Sequence, residues 1–87
     1  MALNWSRPDY ESLDWMPVES SNLVAVAYQA DFQRLWVKFG AAKGSRETIY
    51  RYEGVRPGTF ERLLNASSKG SFFNRNIRMS FPYTGPL

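Results

Sequence analysis

Two runs, Leu35-Trp36-Val37-Lys38-Phe39 and Glu47-Thr48-Ile49-Tyr50-Arg51-Tyr52, decide the fold of this chain. Each alternates in character with the period of two that sends successive side chains to opposite faces of a strand. In the first run Leu35, Val37 and Phe39 point inward, and Trp36 and Lys38 point outward. In the second, Tyr50 and Tyr52 share one face while Ile49 and Arg51 share the other. The glycines of Gly40-Ala41-Ala42-Lys43-Gly44-Ser45 mark the loop between them. Upstream, Leu23-Val24-Ala25-Val26-Ala27-Tyr28 reads as another strand, with Val24, Val26 and Tyr28 on one face and small alanines between. A turn is expected around Gln29-Ala30-Asp31-Phe32. Three strands on short links predict an antiparallel meander, because parallel pairing needs a long crossover.

After Gly54 the period changes to that of a helix. Pro57 and Thr59 open it, Phe60, Leu63 and Leu64 fall at i, i+3 and i+4, and it runs to about Ala66. Ser67 or Ser68 caps a second, shorter helix reaching Arg78, with Phe73 and Ile77 on one face and Arg75 and Arg78 on another. Residues 81–86 read as an extended tail. The expected fold class is α+β: a three-stranded antiparallel meander with two C-terminal helices packed on one face, plus an N-terminal arm. The arm spans residues 1–17 and the domain residues 18–87. The arm carries Trp5, Tyr10, Trp15 and Met16, and Ser6, Pro8, Asp9 and Glu11 suit a short helix start within it.

Composition narrows the chemistry. The chain has 87 residues, no cysteine and no histidine, which removes disulfides, thiolate metal sites and the commonest general base, zinc ligand and near-neutral proton switch. Neither a catalytic residue, a metal nor a cofactor is expected. No apolar run approaches the roughly 18 residues of a membrane span, and residues 1–6 do not read as a signal peptide. A cytoplasmic protein is the expectation, with no membrane partner.

Charge is distributed unevenly. Residues 1–20 hold one arginine against four acids, a net −3, and the remainder holds ten cations against four acids, a net +6. From Arg62 onward there is no acid at all. Within that basic region, residues 66–78 crowd cations, rings and amides together. A single-stranded nucleic acid needs cations along its phosphates and flat rings for its bases. Lys69, Arg75 and Arg78 supply charge, and Arg51 adds to it from the sheet. Asn74 and Asn76 suit base edges, and Tyr52, Phe72 or Tyr83 suit stacking. The backbone N–H groups of Ser68-Lys69-Gly70 favour a phosphate if they open the helix. The alternative is a protein-interaction module that modulates a larger host protein through Trp5, Tyr10, Trp15, Arg34 and Trp36, the residue types that dominate interface energies. Tyr50 with Arg51 suits an acid and an anion holder, but against an enzyme, Ser68 and Lys69 are adjacent and point apart on a helix, and no candidate nucleophile comes with a recognisable base and orienter.

The order of landmarks resembles the KTSC domain, a small family named for its place at the C-terminus of some lysyl-tRNA synthetases and also found as a stand-alone bacterial or phage protein. The landmarks are Ser20-Ser21-Asn22, Tyr50-Arg51-Tyr52, Gly54-Val55, Phe60, Leu63-Leu64 and Ala66, then Ser68-Lys69-Gly70, Phe72-Phe73-Asn74 and Ile77-Arg78. They extend from about Val18 to Tyr83. The chain departs from the family in a longer segment between Gly40 and Glu47, and in Arg56 and Ser67 where proline is frequent. The resemblance implies RNA binding and neither a synthetase activity nor a catalytic residue.

Overall fold

The alternation read from the sequence becomes a five-stranded antiparallel sheet in simple meander order, β1-β2-β3-β4-β5, in the computed structural model of the chain. The structure describes residues 10–20, 22–40 and 47–87. The three expected strands are its centre: β2 (Leu23–Gln29), β3 (Arg34–Phe39) and β4 (Thr48–Tyr52). Two further strands of two residues each correct the three-stranded expectation. Strand β1 (Met16–Pro17) comes from the arm and pairs with β2, and β5 (Tyr83–Thr84) comes from the tail and pairs with β4. The tail follows β4 beyond that ladder. Glu53 N–H donates to the carbonyl of Pro82, and Leu87 N–H to that of Ile49. A Cβ on Gly85 would sit 2.6 Å from the ring carbon Cδ2 of Tyr50, so glycine is what lets the tail lie this close.

Register sorts the side chains. Val26 faces Val37, Tyr28 faces Leu35, Val37 faces Tyr50 and Leu35 faces Tyr52, which lines all of them on one face. The expected grouping of Val24 with Val26 and Tyr28 is corrected by an irregularity between Leu23 and Ala25. One extra residue there resets the period, so Leu23 opposite Phe39 enters the core instead.

Helices α1 (Pro57–Asn65) and α2 (Lys69–Asn76) begin and end close to their expected positions. Proline sits in the first turn of α1, and the Ser68 hydroxyl accepts from Ser71 N–H at the start of α2. Leu63 of α1, and Phe73 and Ile77 at and just past α2, are wholly buried in one cluster with Leu23, Leu35, Val37 and Tyr52. Tyr28 and Phe60 stack at 4.6 Å between ring centres, and the Tyr28 hydroxyl donates to the Val55 carbonyl.

Of the arm, a short 3-10 turn at Tyr10–Ser12 is described, and Trp15 Nε1 donates to the Tyr10 carbonyl at 2.7 Å. The helix expected around Ser6, Pro8 and Asp9, the anchor Trp5 and most of the loop after Gly40 lie outside the described residues.

Phe73 is the largest fully buried side chain. Truncation to alanine is expected to cost about 3–5 kcal/mol, read as a lowered urea midpoint; a loss below about 1 kcal/mol contradicts its place at the centre of the core.

Candidate functional site: an aromatic groove beside the second helix

Phe73 holds more than the core. Its ring meets Phe39 and Tyr52 nearly edge-on, at 5.4 and 5.3 Å. Tyr50 packs against Phe39, and Tyr83 of β5 leans on both Tyr50 and Tyr52 at 5.7 and 5.6 Å. The five rings pass from full burial at Phe73 to the surface at Tyr83, which is 57% exposed. Above them opens a groove of about 360 Å³. Its aromatic wall is Phe39, Tyr50 and Tyr83. Asn74, Arg78 and the exposed Met79 form the α2 side, and Asn22 and Thr48 complete the lining.

The amides and the cation of this groove have defined settings. The Ser20 hydroxyl donates to Asn22 Oδ1 at 3.1 Å and accepts from the backbone N–H groups of Asn22 and Leu23. That small network sits against the start of α2. A Cβ on Gly70 would lie 2.8 Å from Asn22 Oδ1 and 3.0 Å from Ser20 Oγ, so Gly70 is the residue that lets the β1–β2 connection touch the helix. A smaller depression lined by Glu19, Ser68, Lys69, Gly70 and Ser71 adjoins the groove, sharing Asn22 and Asn74 with it.

The residues read from the sequence as a nucleic-acid site are spread over several settings. Asn74 and Arg78 are exposed and line the groove; Arg75 is exposed but outside its lining. Ser68, Lys69, Gly70 and Phe72 shape the start of α2. Ser68 caps it, Gly70 is buried, Phe72 is half-buried against the core, and Lys69 Nζ donates to the Ala66 carbonyl at 3.2 Å. Tyr52, only 3% exposed, presents no face to a base. Arg51 lies behind the sheet, paired with Glu53 and 5.5 Å from the centre of the Trp36 ring. Asn76 turns its amide back to the Phe72 carbonyl. Asn22, Phe39, Thr48, Tyr50 and Met79 join the groove without having been singled out for binding. For Tyr50 the signal was present, since period two sets it beside Tyr52; Thr48 arrives through its pairing with Phe39, and Asn22 through contact with the start of α2.

The second sheet face carries Arg34 and Trp36 of the alternative set, with Trp15 against it. Trp36 is 5% exposed beside the small Ala27, with its Nε1 donating to Gln29 at 2.8 Å. Lys38 lies 4.6 Å over Trp15, Arg34 lies 4.9 Å over Phe32, and Glu53 pairs with both Arg34 and Arg51. Trp15 and Tyr10 are half-buried. The rings and cations of this face largely satisfy one another.

Burial raises the Tyr52 phenol above its ordinary 10.0, Arg78 pulls it down, and Tyr50 and Tyr83 add to the rise. With the folded pKa above the unfolded one, the neutral phenol contributes stability that is complete below the unfolded pKa and is lost as pH rises through the folded one. Arg78→Ala removes the opposing charge and is expected to move Tyr52 ionisation further up in a titration of phenolate absorbance. An unmoved titration excludes a guanidinium facing this hydroxyl.

With this geometry in hand, comparison with known proteins finds a match to the family model described as KTSC domain over residues 19–81. A curated protein of Stutzerimonas stutzeri (strain A1501), which bears no functional name, is 36% identical over 58 residues, covering 67% of this chain and 75% of that protein. The crystal structure of a KTSC domain protein from Yersinia pestis superposes with a TM-score of 0.72 at 29% identity, covering 84% of this chain and 96% of the other. The matched span contains Asn22, the Tyr50-Arg51-Tyr52 triplet, Gly70, Asn74 and Arg78, so most of the groove lies within the family region.

Proposed function

The chain belongs to the KTSC domain family, and from that premise we propose that it is a non-enzymatic module that binds single-stranded RNA in the aromatic groove beside α2. One observation carries this reading. The exposed Tyr83 ring, the Arg78 guanidinium and the amides of Asn22 and Asn74 border one groove, and no carboxylate is among its described lining residues. A stacking surface next to a cation and adaptable amides is the combination that single strands require, and bases splayed from a strand are what such a groove admits. The region from Arg62 onward, free of acids, extends the favourable potential past the groove to Arg75. Lys69 acts as a structural tie to Ala66 in this reading, and Arg51 belongs to the other face.

A second reading, a protein partner on the opposite sheet face, has the exposed Phe32 beside Arg34 in its favour, an aromatic and an arginine of the kind that anchor interfaces. Its mark is a partner retained by the wild-type chain and lost with Phe32→Ala.

No tryptophan is among the described groove residues, so binding is best followed by the anisotropy of a labelled oligonucleotide, with tRNA as competitor. Saturable binding that weakens linearly in log-log terms with salt is expected. Arg78→Ala is expected to flatten that slope by about 0.7, one phosphate contact on a single strand. Tyr83→Ala is expected to cost about 1–3 kcal/mol, the usual value of a base stacked on a ring. Absence of binding at low salt, or binding indifferent to both substitutions, overturns the proposal.

A further inference from the structure

Four large hydrophobic side chains are exposed among the described residues: Met16, Phe32, Met79 and Tyr83. Scattered singly, such residues need no explanation, but two at one groove make an apolar patch. Met16 and Phe32 lie outside the groove lining, and Met79 and Tyr83 are in it. Tyr83 is 57% exposed yet leans on Tyr50 and Tyr52, so its ring is held. Met79 is 87% exposed, so its side chain is packed on almost nothing in the chain. Its backbone is anchored all the same. Ile77 before it is wholly buried, Arg78 N–H donates to the Phe73 carbonyl, and Ser80 N–H donates to the Ile77 carbonyl. The result is an unbranched thioether on an anchored stem, in the same groove of about 360 Å³ as a held ring. That volume is at the small end of ligand sites, so both groups border the same occupant.

We infer that Met79 is a movable apolar contact for a base stacked on Tyr83, and that its thioether is a modification site whose oxidation loosens the bound strand. The inference rests on the RNA-binding reading above and adds a contact residue and its modification to it. A thioether is polarisable, and its unbranched chain adapts to whichever flat ring is present, so the contact suits any base. Hydrogen peroxide alters it. The sulfur attacks one peroxide oxygen, an S–O bond forms as the O–O bond breaks, and the other oxygen leaves with both protons as water. The thioether is oxidised by two electrons to the sulfoxide, and the peroxide is reduced. The product is polar where the ring had an apolar cover. The chain has no cysteine to compete for the oxidant, and Met79 is more exposed than Met16, at 40%. Methionine sulfoxide reductases return the sulfoxide to the thioether, so the change is reversible.

The test follows a labelled single-stranded oligonucleotide by anisotropy at low salt, with the full chain before and after mild peroxide treatment. Mass spectrometry of the peptide containing Met79 confirms one added oxygen atom. Oxidised wild-type protein and Met79→Ala are each expected to bind about fivefold more weakly, the scale of a thioether–ring contact. Their urea midpoints are expected to stay at the wild-type value, because the side chain is exposed. Met79→Leu keeps an apolar contact and is expected to bind as the wild type does, both before and after peroxide. Treatment of the oxidised wild type with the reductase is expected to restore its affinity. Binding unchanged by oxidation at Met79, or unchanged in Met79→Ala, overturns this inference and leaves the RNA reading standing. A loss on oxidation that Met79→Leu shares in full also overturns it, by assigning the effect to another residue. Absence of binding by the untreated wild type overturns the inference together with the RNA reading beneath it.

Discussion

The edge-on contacts of Phe73 with Phe39 and Tyr52 set the position of everything else near the groove. A ring with no solvent exposure, wedged between β3 and β4, fixes both the rotation and the height of a helix only eight residues long. Isolated helices of that length are not stable in water. Docking supplies what length cannot, and Ile77 on the same side secures the far end. Once Phe73 is seated, its neighbour Asn74 and the following Arg78 stand over the tyrosines. The surface site is a by-product of how the core closes.

The two faces of the sheet use similar residue types to different ends. Behind the sheet, three cations lie over rings and two of them share Glu53, so charge and aromatic surface are largely consumed within the molecule. In the groove, Arg78 and the amide of Asn74 border a wall of rings that ends in open water. A count of arginines and aromatics does not separate these arrangements. The distinction lies in whether an acid is within reach of the cation, and Glu53 answers it for one face.

Much of the fold was legible because its signals are local. Alternation fixed β2, β3 and β4, the i, i+3, i+4 spacing of Phe60, Leu63 and Leu64 fixed α1, and the serine pair Ser67-Ser68 marked the start of α2, with Ser68 the cap. Strands β1 and β5 were not legible, since two residues carry no period and their pairing is decided by what they meet. The irregularity at Val24 was hidden too, because Leu23-Val24-Ala25-Val26 alternates acceptably in either phase. The site was half legible. Asn74, Arg78 and the exposed Tyr83 were readable as polar or aromatic residues in an acid-free region. The period that sets Tyr52 beside Tyr50 also sends Arg51 behind the sheet, so their separation was already written in Tyr50-Arg51-Tyr52. The tie from Lys69 to Ala66 and the network at Ser20 and Asn22 depend on tertiary contact and leave no trace in spacing.

Strand β5 joins the sheet after every other described element in chain order, and it carries the outermost ring of the groove. Thr84 pairs with Arg51, so more than thirty residues separate the partners across this last seam. The three long strands and both helices share a buried cluster to which β5 contributes no residue, so the seam between β4 and β5 can open without dismantling that cluster. Opening of that short seam would take the outermost ring away from the groove while Tyr50 and Phe39 stay in place.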